Sequence, residues 1–372
     1  MKKILIPIGF FYPAENGGPA LTLYWITKSL KKLNVDVTII TTTNGIKDGV
    51  ITPNQWLDTE AGNVIYLSTG NPNYSLRYIY FSLKSIKNFN IIVITSMFAL
   101  SSLIFVIFAQ ISNKKIIISP RGELDPKALI YKKPLKKIII MIYNLLSSKN
   151  LHFHVTSIME YSYFKRIINS KFRVEVIPNY ISLPEKVVRS TKIDYLLYIG
   201  RFHAKKAIEN LIFAVSNSAI FRNSNFQLVL AGDYNNEYGK EMKKIVSKLD
   251  LQQKIKFIGE VKKKEKEELY ANAYVTILPS HTENFGNVVI ESLSQSTPVI
   301  ASTGTPWKQL NEYGIGSWVC NKPEFIKMAI EEIIQLNSID YQEMRSRCRP
   351  FVESEYDVKK GVNKWIEYFQ SL

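Results

Sequence analysis

The sequence predicts an α/β protein built from two Rossmann-like, doubly wound domains facing each other across a cleft. Short apolar, β-branched runs alternate with longer helical patterns along the whole chain, the signature of parallel sheets covered by helices on both faces. The pattern restarts after a polar segment carrying two prolines, "PNYISLPEKVVRSTKI". A length of 372 residues also exceeds what one hydrophobic core usually fills.

The first-half strands are expected at "KILIPIG", "VDVTIITT", "NVIYLS", "NIIVITS", "KKIIISP", "HFHVTS" and "RVEVIP", with helical stretches such as "ALTLYWITKSLKKLN" between them. The stretch between Lys87 and Lys114 holds no charge, and "IIVITSMFALSSLIFVIFAQ" is long enough to span a bilayer. Its texture changes from β-branched to helix-like part-way, so it reads as a buried strand followed by a buried helix. The second-half strands are expected at "DYLLYIG", "FQLVLAG", "KIKFIGE", "AYVTILPS" and "TPVIAS". This places an N-terminal domain at 1–185, a linker near Ile181 to Lys192, a C-terminal domain at 190–350 and a last helix within 351–372. That helix carries Val358, Val362, Trp365, Ile366 and Phe369 on one face, which needs somewhere to bury, the N-terminal domain being the expected place.

Hydrophobic residues at 46% and charged residues at 22% exclude a disordered chain. The net charge of +16 predicts an anionic partner: nucleic acid, an anionic membrane surface or a phosphorylated ligand. Lysines scattered among Asn and Ile also fit a merely biased composition. No aromatic-basic RNP-type motif supports nucleic acid. Cys320 and Cys348 are too few for a disulfide framework, and the four histidines form no HxxxH pattern, so neither structural zinc nor an oxidising compartment is expected. "MKKILIPIGFFYP" lacks a cleavage site and reads as a first strand rather than a signal peptide, which points to the cytoplasm.

In open α/β sheets the ligand sits beyond the carboxyl ends of the strands, so the residues after strands carry the function. After the first strand, Gly17 and Gly18 precede a helix able to begin at Pro19; glycines there let a backbone approach an anion, though a plain loop looks the same. The spacing is not GxGxxG, so the dinucleotide fingerprint is absent. After the restart strand, Arg201, Lys205 and Lys206 lie at the start of a helix, where cations are unfavourable unless an anion is bound or the side chains are simply solvated. In "HTENFGNVVIESL", Glu283 precedes a helix expected to begin between Phe285 and Asn287, and Glu291 lies about a turn and a half inside it. Two carboxylates beside a helix start fit a reader of sugar hydroxyls on either side of a diphosphate, a glycosidase acid/base pair or a metal site. No further Asp or Glu cluster accompanies them.

"GRFHAKKAIENLI", "LVLAGD", "KIKFIGEV", "ILPSHTENFGNVVIESLSQSTPVIAS" and "TPWKQL" resemble the C-terminal half of family 4 (group 1) glycosyltransferases of the GT-B fold, while "GGPA", "SPRGELDPKAL" and "VIPNYIS" resemble the N-terminal half. The resemblance implies that Glu283 contacts the donor sugar and Glu291 the nucleotide ribose. It further implies that Arg201 and Lys206 hold the diphosphate, that Gly18 approaches the donor phosphates, and that Phe285, Gly286 and Asn287 offer backbone groups, with Val288 following. Ala207 and Ser296 stand where the family often has glycine. Thr95, Ser96 and Arg121 stand near where many members carry a histidine, so Arg121 is expected to meet acceptor or donor phosphate, or to form a structural ion pair.

The resemblance therefore implies a retaining, metal-independent transferase without cofactor, moving a hexose-type sugar from a UDP- or GDP-sugar to a saccharide acceptor. A lipid-linked acceptor and a place in lipopolysaccharide O-antigen or capsule synthesis go with it; the alternative is a non-catalytic nucleotide-sugar or membrane-surface binder that kept the fold. Lys127, Lys132, Lys133, Lys136 and Lys137 punctuate an Ile- and Leu-rich stretch, either a basic amphipathic helix lying on the anionic cytoplasmic face of the inner membrane or a core-facing helix with a solvated lysine side.

Overall fold

A computed structural model describes the chain except residues 1, 15–17, 74, 131, 148 and 191–193, with Lys263 described by its backbone alone. The chain divides into two compact units, residues 1–182 with 358–372, and residues 183–357. Residues 351–357 stay with the second unit, because the helix Ser338–Glu355 carries the chain to 355; the return to the first unit begins at 358 rather than at 351. The end of the expected linker, Lys192, lies outside the described residues.

The first unit holds strands β1 (Ile4–Pro7), β2 (Val37–Thr42), β3 (Trp56–Thr59), β4 (Gly62–Leu67), β5 (Ile91–Ile94), β6 (Lys115–Ile118), β7 (Leu151–Val155) and β8 (Val174–Val176). They form one sheet in the order β3-β4-β2-β1-β5-β6-β7-β8. Among the described residues only β3, on the outer side of β4, pairs antiparallel. The sequence reading missed it: β3 is a short, half-exposed edge in a hairpin with β4, and "WLDT" lacks the apolar density of the buried strands.

The second unit holds β9 (Tyr195–Ile199), β10 (Gln227–Ala231), β11 (Ile255–Gly259), β12 (Val275–Leu278), β13 (Val299–Ser302) and β14 (Gly316–Val319), all paired in parallel in the order β11-β10-β9-β12-β13-β14. Strand β14, "GSWV", was also missed, for the same reason: it is an edge strand of half-buried residues. Counted within the unit, the order is 3-2-1-4-5-6, and its direction reverses between β9 and β12. That reversal is the topological switch point where open sheets bind ligands.

The uncharged stretch resolves into β5 and the helix Leu100–Ile111, whose Phe105, Val106 and Ala109 are buried against the first sheet. Among the described residues no helix is long and apolar enough to cross a membrane. The last helix, Val358–Gln370, packs Val362, Trp365, Tyr368 and Phe369 into the core of the first unit, beside Ile4, Ile6 and Leu23. Gly361 is required there, since a Cβ would stand 2.3 Å from the Tyr180 ring.

The same face of the sheet buries two histidines on β7. His154 is boxed between Ser119 Oγ at 2.7 Å and the Ile177 carbonyl at 2.8 Å, so Nε2 carries the proton and Nδ1 accepts. Burial, with the Arg121 charge added, pushes its pKa down to about 3. His152 has both ring nitrogens buried without a hydrogen-bond partner among the described residues, and burial beside Lys115 and Arg173 pushes it down to about 4.

Both histidines are neutral in the fold and protonate near pH 6.5 when unfolded. Their neutral state favours the fold fully above about pH 6.5, and that stability is lost as pH falls toward 4. Replacing His152 by Phe removes two orphaned nitrogens and one titration. The urea midpoint of His152→Phe is expected to fall less than the wild-type midpoint between pH 7 and pH 4.5. Parallel declines would contradict this account of His152.

Candidate functional site

The switch point of the second unit gathers the charged residues. Strand β9 runs into Gly200 and Arg201, then a single 3-10 turn, Ala204–Lys206, capped by the His203 ring accepting from the Lys205 amide at 3.1 Å. Strand β12 runs into the loop 279–286, and the helix Asn287–Ser294 follows. The two loops are tied together by the His281 amide, which donates to the Lys205 carbonyl at 2.9 Å, and the Glu283 amide ties the second of them to the loop after β13 by donating to the Gly304 carbonyl at 2.9 Å.

This arrangement brings Lys206 against Glu283 in an ion pair, with side chains only 16% and 14% exposed. The Ser280 hydroxyl donates to the same Glu283 oxygen at 2.8 Å. In a buried pair of this kind each partner supplies what desolvation removed, and deleting one strands the other at a cost of roughly 3–5 kcal/mol. Arg201 is exposed, and among the described residues no carboxylate pairs with it. The Tyr198 hydroxyl instead holds its backbone, donating to the Arg201 carbonyl at 2.8 Å.

Gly286 caps the helix Asn287–Ser294 at φ 82°, with no side-chain cap on the first turn. Only glycine suits that position, because a Cβ would also come within 3.0 Å of Leu278. Phe285 is buried in an aromatic cluster, 5.0 Å from Trp307 and 5.7 Å from Tyr356, and its carbonyl accepts from Trp307 Nε1 at 2.5 Å. Asn287 opens the helix, and Val288 packs against the buried cluster that includes Leu197, Ile199 and Tyr270.

Glu291, in the second turn, is anchored on one oxygen only. Oε2 accepts from Tyr270 Oη at 2.9 Å and pairs with Lys266 Nζ at 2.7 Å, while Oε1 accepts nothing among the described residues. Burial, then the Glu291 charge, holds the Tyr270 hydroxyl well above its usual range, so it is a fixed donor. Glu283 and Glu291 therefore each have their own cation, Lys206 and Lys266.

The remaining expected residues lie in the first unit. Gly18 begins the helix Gly18–Lys32, one residue earlier than expected, whereas Gly17 lies outside the described residues. Arg121 follows β6 at φ 48°, donating from Nη1 to Asn179 Oδ1 at 3.2 Å, with Nε buried and unpartnered among the described residues. Burial pushes its pKa down to about 10, opposed by the charge of Glu160. Glu160 in turn accepts from the amides of Gly122 and Thr156 at 2.5 and 2.7 Å. Ser96 is occupied with the half-buried Glu123, to which it donates at 2.7 Å. Among the described residues no group of three or more His, Cys, Asp or Glu could hold a metal ion.

Sequence reasoning missed Lys266, Tyr270, Ser280, Asn284 and Trp307. Lys266 and Tyr270 are four apart on the helix Lys263–Asn272, a spacing that places them on one face, but "KKKEKEELYANAY" reads as an ordinary surface helix. Asn284 Oδ1 is buried with no partner among the described residues, in the middle of the Glu283 to Gly286 loop.

Residues 182–352 match the model of the family described as glycosyl transferases group 1. The second unit belongs to the group 1 glycosyltransferases. An uncharacterized 41.2 kDa protein in the cps region of Klebsiella pneumoniae is 24% identical over 64% of this chain and 67% of that protein. The O-antigen chain mannosyltransferase RfbU of Salmonella typhimurium is 29% identical over 35% of each chain, so this chain spans about a third of that relative. The crystal structure of Anabaena HepE in complex with UDP and glucose superposes with a TM-score of 0.79 at 15% identity, covering all of both chains. The likeness is one of fold, and the two α/β units of this chain are those of GT-B.

The two departures from the group 1 pattern sit where glycine would be least strained: Ala207 at φ 50° caps the helix Ile208–Ser216, and Ser296 lies at φ 61°. A side chain there costs about 1 kcal/mol that glycine avoids, partly offset by the freer unfolded chain. Ala207→Gly and Ser296→Gly are each expected to leave the fold intact and raise stability by up to about 1 kcal/mol, read as a higher urea midpoint. A loss greater than that from both would show that the methyl or hydroxyl packs too well to remove.

Proposed function

We propose that the chain transfers a hexose from a UDP- or GDP-sugar to a saccharide acceptor with retention of configuration and without a metal. The observation that carries this reading is the switch point, which brings together an exposed Arg201 without a carboxylate partner among the described residues, the Lys206 to Glu283 pair, a helix start with no side-chain cap and an anchored Glu291. The acceptor is proposed to be lipid-linked and the product a surface polysaccharide, with the enzyme at the cytoplasmic face of the membrane. The names of two relatives, a cps-region protein and an O-antigen mannosyltransferase, support that setting. The UDP and glucose bound by HepE support a nucleotide-sugar donor.

The diphosphate would lie against Arg201, Lys206 and the first amides of the helix Asn287–Ser294, where negative charge grows as the bond from the anomeric carbon to phosphate oxygen breaks. Lys206 has three donors, so it can keep Glu283 and still meet a phosphate oxygen. The free oxygen of Glu291 would accept from a ribose hydroxyl, and Glu283 from a sugar hydroxyl. On the retaining route the acceptor oxygen bonds to the same face of the anomeric carbon, and its proton passes to the departing phosphate. No side chain need act as a nucleophile. Burial of Glu283 against Lys206 suits it to orientation.

Arg201→Ala and Lys206→Met are each expected to lower kcat about 10²- to 10³-fold, the usual cost of losing a charge-stabilising donor. Glu291→Gln is expected to weaken nucleotide binding about tenfold or more with a smaller effect on kcat. A melting-temperature panel of UDP, GDP, ADP and CMP with their sugar conjugates names the donor class by the nucleotide that raises it. Transfer in EDTA is expected to match transfer with added Mg²⁺. Wild-type rates in both cation variants would sink the assignment; nucleotide binding without any transfer to a lipid extract would favour a binding protein instead.

A further inference from the structure

The donor site leaves an open, apolar cavity of the first unit without a role. About 330 Å³ in volume, it lies among the helices Pro126–Ile130, Lys133–Leu145 and Ile158–Ile167. Leu129, Ile140 and Ile167 line it, and Lys133, Lys136, Lys137 and Arg166 border it. Lys136 is folded inward, donating to the Ala128 carbonyl at 2.7 Å and lying 5.1 Å over the Phe98 ring. Lys133, Lys137 and Arg166 have no carboxylate partner among the described residues, and Asp125 caps the start of the first of these helices through the Lys127 amide at 2.8 Å.

The helix Lys133–Leu145 also breaks the usual rule for a packed amphipathic helix. It buries only Ile139 and Tyr143, while Leu135, Ile138 and Met141 are 53%, 51% and 57% exposed. Ile130, on the neighbouring helix, is 71% exposed. A solvated lysine face needs no such apolar company, and a core-facing helix would not leave it in water.

We propose that this groove and the exposed face beside it bind an anionic phospholipid of a bilayer, with a stretch of acyl chain in the groove and the phosphate among Lys133, Lys137 and Arg166. One molecule must satisfy both an apolar cavity and the unpaired cations that border it, and an anionic amphiphile does so. A nucleic acid would neutralise the cations and leave the groove in water. The inference extends the lipid-linked acceptor reading to a defined place on the chain, and it does not rest on which donor is used.

The test uses the full chain and two lipid probes. In flotation with vesicles of phosphatidylglycerol and phosphatidylcholine, the protein is expected to partition at least about tenfold more strongly than with phosphatidylcholine alone. The variant Lys133→Glu/Lys137→Glu/Arg166→Glu, at a wild-type melting temperature, is expected to lose that preference. Ile138→Ser/Met141→Ser is expected to bind anionic vesicles at low salt and to be stripped by 0.5 M NaCl that leaves the wild type bound. Calorimetric titration with dihexanoyl-phosphatidylglycerol below its micellar concentration is expected to saturate, and inorganic phosphate is not. Equal flotation of wild type and the charge-reversed variant would overturn the proposal, as would phosphate binding as tight as lipid, or RNA competing the protein off the vesicles without being displaced by them. Transfer to a water-soluble acceptor, assayed separately, tests the transferase reading whatever the lipid result.

Discussion

Lys206 and Glu283 are 77 residues apart in sequence, yet each is the reason the other can be buried and charged. A carboxylate and an ammonium, both largely removed from water, are tolerable only in contact. Their contact depends on β9 and β12 being neighbours at the one place where the sheet order reverses, so that both following loops emerge side by side. The backbone bonds from His281 to Lys205 and from Glu283 to Gly304, and the Ser280 hydroxyl, then fix the geometry to within a hydrogen bond. Trp307 and Gly286 complete the same task from below, setting where the next helix begins.

The site mixes fixed charge with available charge. Glu283 and Glu291 each have a cation in place, so neither needs a ligand to be stable, while Arg201 stands exposed without a carboxylate partner among the described residues. An anionic group arriving there would find one cation ready and a second able to share its donors, which is how a preorganised site lowers the cost of charge development. The first unit handles charge differently. Arg121, Glu123, Glu160 and His154 sit at the carboxyl ends of β6 and β7 with internal partners, and burial moves their pKa values away from the charged form in every case. Within that network Arg121 Nε is buried without a hydrogen-bond partner among the described residues.

Basic charge is the other theme. A net charge of +16 gives no partner by itself. Two groups of cations stand out, those at the switch point, next to a helix start, and those around the apolar groove of the first unit, next to exposed Leu, Ile and Met. Phosphate chemistry suits both places, but only the second offers a surface that water does not want to cover.

Much of this was legible in the chain. Alternating apolar runs gave two doubly wound sheets because buried parallel strands must be apolar throughout, and each strand that was misread, β3 and β14, is an edge strand without that density. Motif spacing placed Arg201, Lys206, Glu283 and Glu291 after strands, where loops meet ligands. The sequence could not say which cation each glutamate would take. Lys206 reaches Glu283 across a strand crossover, and Lys266 with Tyr270 reaches Glu291 from a helix that looks purely solvated in one dimension. Nor could it decide whether the lysine-rich helix faces core or solvent, since an apolar stripe reads the same in both settings. Local pattern determined the elements; side-chain partnership, which depends on distances between segments far apart in sequence, was decided by the tertiary fold.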